Sequence, residues 1–281
     1  MSYKCRWSIG LPPNANDEPC EITMTEGHLF ENRSRADSFG EDAEQYDRVR
    51  PTYPETMIDF LLQDEQTRVL DVGCGTGIAS RLFLARGCDV LGLEPDPRMA
   101  EVARRYGQQV EIGTIEEFDP DGSVFDLLTA GQSWHWVNPP LGAAKASQVL
   151  RPEGRIGLFW NQANAGVEVR DAIVGAYERH APELARNSVL LGMRGVELYE
   201  RLGESLRVDE LFHDVSVETY SHHQTYTSDE WLELTTTHSD HRTLPAEQLS
   251  ALLADLGIAI NAVGGEVPVH YETTLVTGLR T

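Results

Sequence analysis

Positive charge is scarce in this chain. Lysine and arginine number 23 against 45 aspartates and glutamates in 281 residues, a formal charge of -22. Such a surface repels phosphate backbones and anionic headgroups, which argues against nucleic acid and membrane as partners. Solubility alone accounts for the excess of acid. Cysteine is also sparse: Cys5, Cys20, Cys74 and Cys88 form no CxxC pair and no closely spaced framework. Neither a zinc ribbon nor a disulfide scaffold is indicated, and a reducing cytoplasm is the expected compartment. No apolar run approaches the length of a membrane span. The opening residues lack the apolar core of an export signal and pass quickly to Pro12, Pro13, Asn14 and Asn16. No internal repeat or low-complexity tract stands out.

What is present is organised around Arg68-Val69-Leu70-Asp71-Val72-Gly73-Cys74-Gly75-Thr76-Gly77. Val69, Leu70 and Val72 predict a buried strand, and Ile78 to Arg86 predicts a helix. Between them stand three glycines in five residues, more than a plain connection needs. Glycine admits positive φ and close approach of a ligand to the backbone. The following helix N-terminus offers unpaired N–H groups and a partial positive charge. Strand, turn and helix together predict a cofactor cradle.

Residues 1–29 carry little apolar pattern and are expected to form a flexible arm ahead of one domain over 30–281. Ala43, Tyr46 and Val49, then Met57, Ile58, Leu61 and Leu62, have helical spacing, interrupted by the rigid elbow Arg50-Pro51-Thr52-Tyr53-Pro54. Further strands are predicted at Asp89–Glu94, Gln109–Gly113, Phe125–Ala130 and Arg155–Trp160, with helices between them. That alternation implies a doubly wound, Rossmann-like α/β sheet with both faces covered. Asn161, Asn164 and Gly166 predict a loop. Residues 161–206 then break the rhythm and are expected to form a helical insertion after strand five, a candidate substrate cap. Val215, Val217 and Thr219 predict a strand, Trp231–Leu234 and Ala246–Val263 helices, and Val267–Leu279 the last strand.

A dinucleotide turn wants GxGxxG, but Ile78 stands where the third glycine belongs, which argues against a nicotinamide oxidoreductase. A P-loop needs a lysine that does not follow. Glu94, ending the second strand, suits ribose hydroxyls, so a nucleoside without a phosphate requirement is the better fit. Asp71-Val72-Gly73-Cys74-Gly75-Thr76-Gly77 with Glu94 resembles the first motif of class I S-adenosylmethionine-dependent methyltransferases, over roughly Phe39 to Trp160. The resemblance implies a sheet of about seven strands, mostly parallel with an antiparallel last strand. It implies S-adenosyl-L-methionine as cofactor, with contacts at Asp71, Gly73, Gly75, Gly77 and Glu94. It also places Thr114 where an acid often meets adenine, with Ile115 against the adenine face. Phe39-Gly40, Ala43, Tyr46, Arg50-Pro51-Thr52-Tyr53-Pro54 and Gln132-Ser133-Trp134-His135-Trp136 resemble the small-molecule branch that includes trans-aconitate methyltransferase; Gln132 joins the expected cofactor contacts on that ground.

Methyl transfer from a sulfonium is an in-line displacement that needs orientation and exclusion of water. A carboxylate acceptor needs no base, whereas a phenol, amine or thiol can call for one. His135, after the fourth strand, is the candidate catalytic residue, either as general base or as a substrate-orienting group. Trp134 and Trp136 flank it as an expected aromatic wall. Arg50 is a candidate clamp for the methionine carboxylate, and Tyr53 a pocket residue beside it. His222 and His223 point to opposite faces of a strand and cannot share an ion. His238 and His241 lack a well-placed third ligand, so no metal is expected. Trp231, His238 and Arg242 are expected to roof the substrate pocket. The expectation is methylation of a small molecule by a monomer or homodimer, on oxygen first and nitrogen or sulfur next. A cofactor-binding regulator without turnover is the non-enzymatic alternative.

Overall fold

The computed structural model describes residues 40, 42–62, 67–187, 206–207 and 210–281. The expected N-terminal arm, and residues 188–205 of the expected insertion, lie outside the described residues.

Apolar, β-favouring segments form a seven-stranded sheet with the order β3-β2-β1-β4-β5-β7-β6. The strands are β1 (Arg68–Val72), β2 (Asp89–Glu94), β3 (Gln109–Ile112), β4 (Phe125–Gly131), β5 (Leu150–Ala165), β6 (Phe212–Thr227) and β7 (Glu266–Arg280). The first five run parallel. β7 is antiparallel to both β5 and β6. The strand order reverses between β1 and β4, and open α/β sheets bind ligands in the crevice beyond such a switch point. The glycine turn follows β1 and sits there.

The helices are α1 (Ala43–Val49), α2 (Glu55–Leu61), α3 (Ile78–Leu84), α4 (Pro97–Arg105), α5 (Pro139–Val149), α6 (Val167–His180), α7 (Pro182–Asn187), α8 (Ser228–Thr236), α9 (Ser239–Arg242) and α10 (Ala246–Ala262). Asp96 caps α4 with its side chain and Pro97 opens it; a complete capping box between Thr227 and Glu230 starts α8. One sheet face buries Leu70, Leu128, Leu158 and Trp134, and the other buries Val69, Leu127, Phe159, Met57 and Phe83.

The expected loop at Asn161 to Gly166 is corrected. β5 continues through Ala165, pairing residue by residue with β7 from Arg155↔Leu279 to Ala165↔Val269. Asn161 is accommodated because Thr273 Oγ1 donates to its Oδ1 at 2.6 Å and its Nδ2 donates to Thr52 O at 2.9 Å. Long-range pairing thus overrides a turn-like local composition. β4 ends its pairing at Gly131↔Phe159. The remaining six residues of β5 therefore stand about 20 Å beyond the carboxyl edge of the parallel strands. One face of this extension packs Ala163, Val269, Tyr271 and Tyr226 against α6, α8 and α10, making a second core around Trp231, Tyr177 and Leu256.

Candidate functional site

The turn after β1 is shaped by its glycines. Gly73 and Gly75 have φ of +64° and +57°, which side-chain-bearing residues rarely adopt. A Cβ on Gly73 would also lie 2.5 Å from Ser133 Cβ. The N–H of Gly73 donates to Leu93 O at 2.7 Å, tying the turn to β2. At the end of β2, Glu94 Oε2 accepts from Gly75 N and Oε1 from Asp96 N, each at 2.9 Å.

These residues face an open cleft with about 810 Å³ of space between its walls, part of it continuous with solvent. Its lining includes Gly73, Gly75, Glu94, Thr114, Ile115, Gln132 and Trp136. A second lobe of about 330 Å³ continues past the turn and is bounded by Tyr46, Tyr53, Asp71, Gly75, Thr76 and Gly131. Tyr46 borders both lobes. The lobes thus bring together residues from β1, β2, β4, the loop after β3, α1 and the proline elbow.

Burial dominates the electrostatics. It raises the Glu94 carboxyl to about 7 against the two N–H donors, which favour the anion. It raises Asp71 to about 6, opposed by hydroxyl donors from Ser80 and Thr129. Burial also pushes Tyr53 and Cys74 well above their usual ranges, so both stay neutral near pH 7.

α1 lies over the cleft and is tied on both sides. Arg81 pairs with Asp47 at 2.9 Å and Arg105 with Glu44 at 2.6 Å. On the other side, Arg48 pairs with Glu233 at 2.8 Å, and Gln45 Nε2 donates to Thr236 Oγ1 at 3.0 Å. Arg50, expected as a clamp in the cleft, donates instead to Thr237 Oγ1 and Thr237 O at 2.8 and 2.6 Å. It fixes the elbow to the end of α8 and does not line either lobe.

Other expectations are also redirected. Gly77 lines neither lobe; its missing side chain makes room for Gln108 Oε1, which a Cβ would meet at 2.5 Å. Trp134 is buried in the sheet core, so of the expected aromatic wall only Trp136 borders the cleft. His135 sits in a short 3-10 turn, Trp134–Trp136, and is not among the lining residues. Its Nδ1 accepts from Trp160 Nε1 at 3.2 Å. Trp231 belongs to the second core and packs edge-on against Tyr226. His238 occupies the N-cap position of α9 with no side-chain capping bond, and Arg242 Nε donates to Thr236 O at 3.0 Å. Large indoles were drawn into apolar cores by the area they bury, and the polar pair sits at helix ends. His241 is buried between Asp240 and Tyr177, with contacts of 2.8 and 3.0 Å. Among the described residues no group of three or more His, Cys, Asp or Glu side chains could hold a metal ion. None of the described helices is long and apolar enough to cross a membrane.

Tyr46, Ser133, Met99 and Val137 line the cleft without having been singled out by residue type. The glycine at position 73 carried a signal for Ser133, because its bare backbone is what the serine packs against.

Comparison with known proteins bears on this geometry. An uncharacterized methyltransferase of Mycobacterium tuberculosis is 42% identical over 126 residues, 44% of this chain and 52% of the relative. A ubiquinone biosynthesis O-methyltransferase of Acinetobacter baylyi is 28% identical over 149 residues, 47% of this chain and 62% of that protein. The chain spans about half the length of the first curated relatives it matches. A solved structure from Anaeromyxobacter dehalogenans, provisionally named a type II methyltransferase, superposes with a TM-score of 0.57 at 21% identity. That superposition covers 82% of this chain and 97% of that one, a likeness of fold. Residues 70–158, which run from β1 through the glycine turn into β5, match the family described as a methyltransferase domain.

Proposed function

We propose that this chain is an S-adenosylmethionine-dependent methyltransferase acting on an oxygen of a small-molecule acceptor. The observation that carries the reading is the pairing of Glu94 with Gly75 in the cleft at the switch point. The residues fit the cofactor. A carboxylate oxygen has two acceptor positions, so Glu94 retains capacity for ribose hydroxyls beyond the two N–H groups it already holds. Ile115 and Val137 offer apolar surface for a base, and Thr114 a hydroxyl at the same edge. In the second lobe, the Asp71 carboxylate suits a cationic amino group.

When bound, S-adenosylmethionine supplies an electrophilic methyl group on a sulfonium. The protein's part is to bind, orient and exclude water. Tyr46 and α1 close over the lobes, and Trp136 and Ile115 keep the cleft wall apolar. His135, next in the chain to the cleft residue Trp136, orients the acceptor in this reading. With Nδ1 accepting from an indole, the neutral ring carries its proton on Nε2 and donates there. A site without a base in this position favours an acceptor that is already a nucleophile, such as a carboxylate. The printed name of the Acinetobacter baylyi relative, an O-methyltransferase, agrees with oxygen as the target.

Calorimetry with S-adenosylhomocysteine and with NAD tests the cofactor: the first should bind and the second should not. Turnover on a panel of carboxylic acids, phenols, amines and thiols then tests the acceptor. Absence of S-adenosylhomocysteine binding would sink the reading. Binding without turnover on any class would favour a regulator.

A further inference from the structure

Beneath the glycine turn runs a chain of buried polar groups that ends on Asp71. Gln108 stands between α4 and β3 and is buried. Its Nε2 donates to Ser80 Oγ at 2.6 Å. Ser80 Oγ in turn donates to Asp71 Oδ2 at 2.5 Å. Thr129 Oγ1 donates to the other oxygen, Oδ1, at 3.0 Å.

The direction of this chain is forced. Ser80 has one hydroxyl proton, and Asp71 as an anion can only accept. Ser80 must therefore receive its second bond as an acceptor, which requires the NH₂ end of Gln108 to face it. Gln108 Oε1 is then left buried with no partner. A buried acceptor without a donor is costly, and an apolar side chain of the same shape would avoid the cost. The surroundings also yield to Gln108. Cβ atoms on Gly77 and Gly92 would each lie 2.5 Å from its amide, at Oε1 and Nε2 respectively. Two glycines and one unsatisfied acceptor thus accommodate a single amide that donates to Ser80 and also bonds the Cys74 thiol.

We propose that Gln108 is a positioning residue. By locking Ser80 as a donor, it fixes the Asp71 carboxylate in orientation and favours its anionic form beneath the second lobe. Its importance for cofactor binding rests on reading that lobe as part of the cofactor site. The relay itself does not depend on that reading.

The titratable groups facing Asp71 are Tyr53 from the elbow, Cys74 from the turn and Glu94 from β2, with Tyr46 across the lobe. Glu94, at about 7, titrates close to Asp71. The measurement must therefore report on Asp71 by itself. Carbon-labelled aspartate followed by NMR against pH does so in the ligand-free, full-length protein.

Gln108→Met should move the Asp71 midpoint upward by about one pH unit, because the hydroxyl that stabilises the anion loses its own donor. Ser80→Ala should move it upward at least as far. Adding Gln108→Met to Ser80→Ala should move it little further, since Gln108 reaches the Asp71 carboxylate through Ser80 and its other bond goes to the neutral Cys74 thiol. S-adenosylhomocysteine affinity should fall about fivefold at pH 6 in Gln108→Met and return to within about threefold of the wild type at pH 8. A merely structural role would lower affinity equally at all pH values and leave the midpoint in place. An unmoved Asp71 midpoint in Gln108→Met, or equal effects of Gln108→Met with and without Ser80, overturns the proposal. If Gln108→Met does not fold, Gln108→Leu decides: it also removes the donor to Ser80 and adds no charge, so an unmoved Asp71 midpoint there overturns the relay. Should the wild type fail to bind S-adenosylhomocysteine, the cofactor reading falls, while the NMR titration still judges the relay.

Discussion

The indole N–H of Trp160, on β5, donates to Nδ1 of His135, in the turn after β4, at 3.2 Å. An indole nitrogen can only donate, so the tautomer of the neutral imidazole is set. This separates two roles for His135. If it orients the acceptor through Nε2–H, His135→Gln, which keeps a neutral donor, should hold kcat within about tenfold. His135→Ala should lose roughly 100-fold, the scale for removing one well-placed donor. Both variants should bind S-adenosylhomocysteine as the wild type does. Equal losses in the two variants would point to proton abstraction instead.

Glu94 is expected to make cofactor affinity depend on pH. Its folded-state carboxyl sits at about 7, raised by burial from an ordinary 4.5. Ribose hydroxyls donate best to the anion, so S-adenosylhomocysteine affinity should weaken as pH falls from 8 to 6. Glu94→Gln should weaken binding about 10- to 100-fold at pH 8, the loss of a charge-assisted bond, and flatten the profile.

Stability should run the other way. A carboxyl with a raised folded pKa binds its proton more tightly when folded. Its contribution is therefore full below the unfolded value and lost as pH rises through 7. The ligand-free wild type should lose on the order of 3 kcal/mol from this group between pH 4 and 8. Chemical denaturation of Glu94→Gln should show a smaller loss across that range.

The two glycines of the turn should fail differently. A Cβ on Gly75 meets only Met99 Cε, at 3.4 Å. Gly75→Ala should therefore cost about 1–2 kcal/mol of backbone strain at φ +57° and reduce S-adenosylhomocysteine affinity at least tenfold. A Cβ on Gly77 collides with Gln108 and lies 3.3 Å from Ala103 Cβ. Gly77→Ala should lower stability by more than Gly75→Ala. Thermal melting and calorimetry on the same pair of variants measure both.

Arg50 should matter to the strap over the cleft. Arg50→Ala removes two bonds to Thr237 and should cost about 1–3 kcal/mol. It should also raise amide exchange over α1, and Arg50→Lys, without the planar fork, should not restore protection. Hydrogen exchange across residues 43–49 reads this directly.

Much of this architecture was legible from residue pattern. Val69, Leu70 and Val72 named the central strand, and Glu94 the strand-end acid. What was not legible depended on distant partners. Asn161 and Asn164 resemble turn residues locally, and only Thr273, Thr52 and the β7 ladder make that stretch a strand. Trp134 and Trp231 resemble pocket aromatics in sequence, yet both fill cores. Gln108 carried no signal of its own, and its traces were Gly77 and Gly92, two glycines whose backbones it crosses. Arg50 stood in the right stretch, but a guanidinium takes whichever carbonyl and hydroxyl the fold presents, here those of Thr237.

The order of the sheet has a consequence for how the chain comes to be folded. Among the described strands β6 joins the hydrogen-bonded ladder through β7, which pairs with β5 on one side and β6 on the other. On a ribosome, β6 emerges before the strand that must hold it. Until β7 follows, β6 and the far edge of β5 are open edges able to pair with other chains. Because Arg155 must find Leu279 and Ala165 must find Val269, closing this gap is a long-range, slow step. The nascent protein is then most exposed to aggregation just before its final strand arrives.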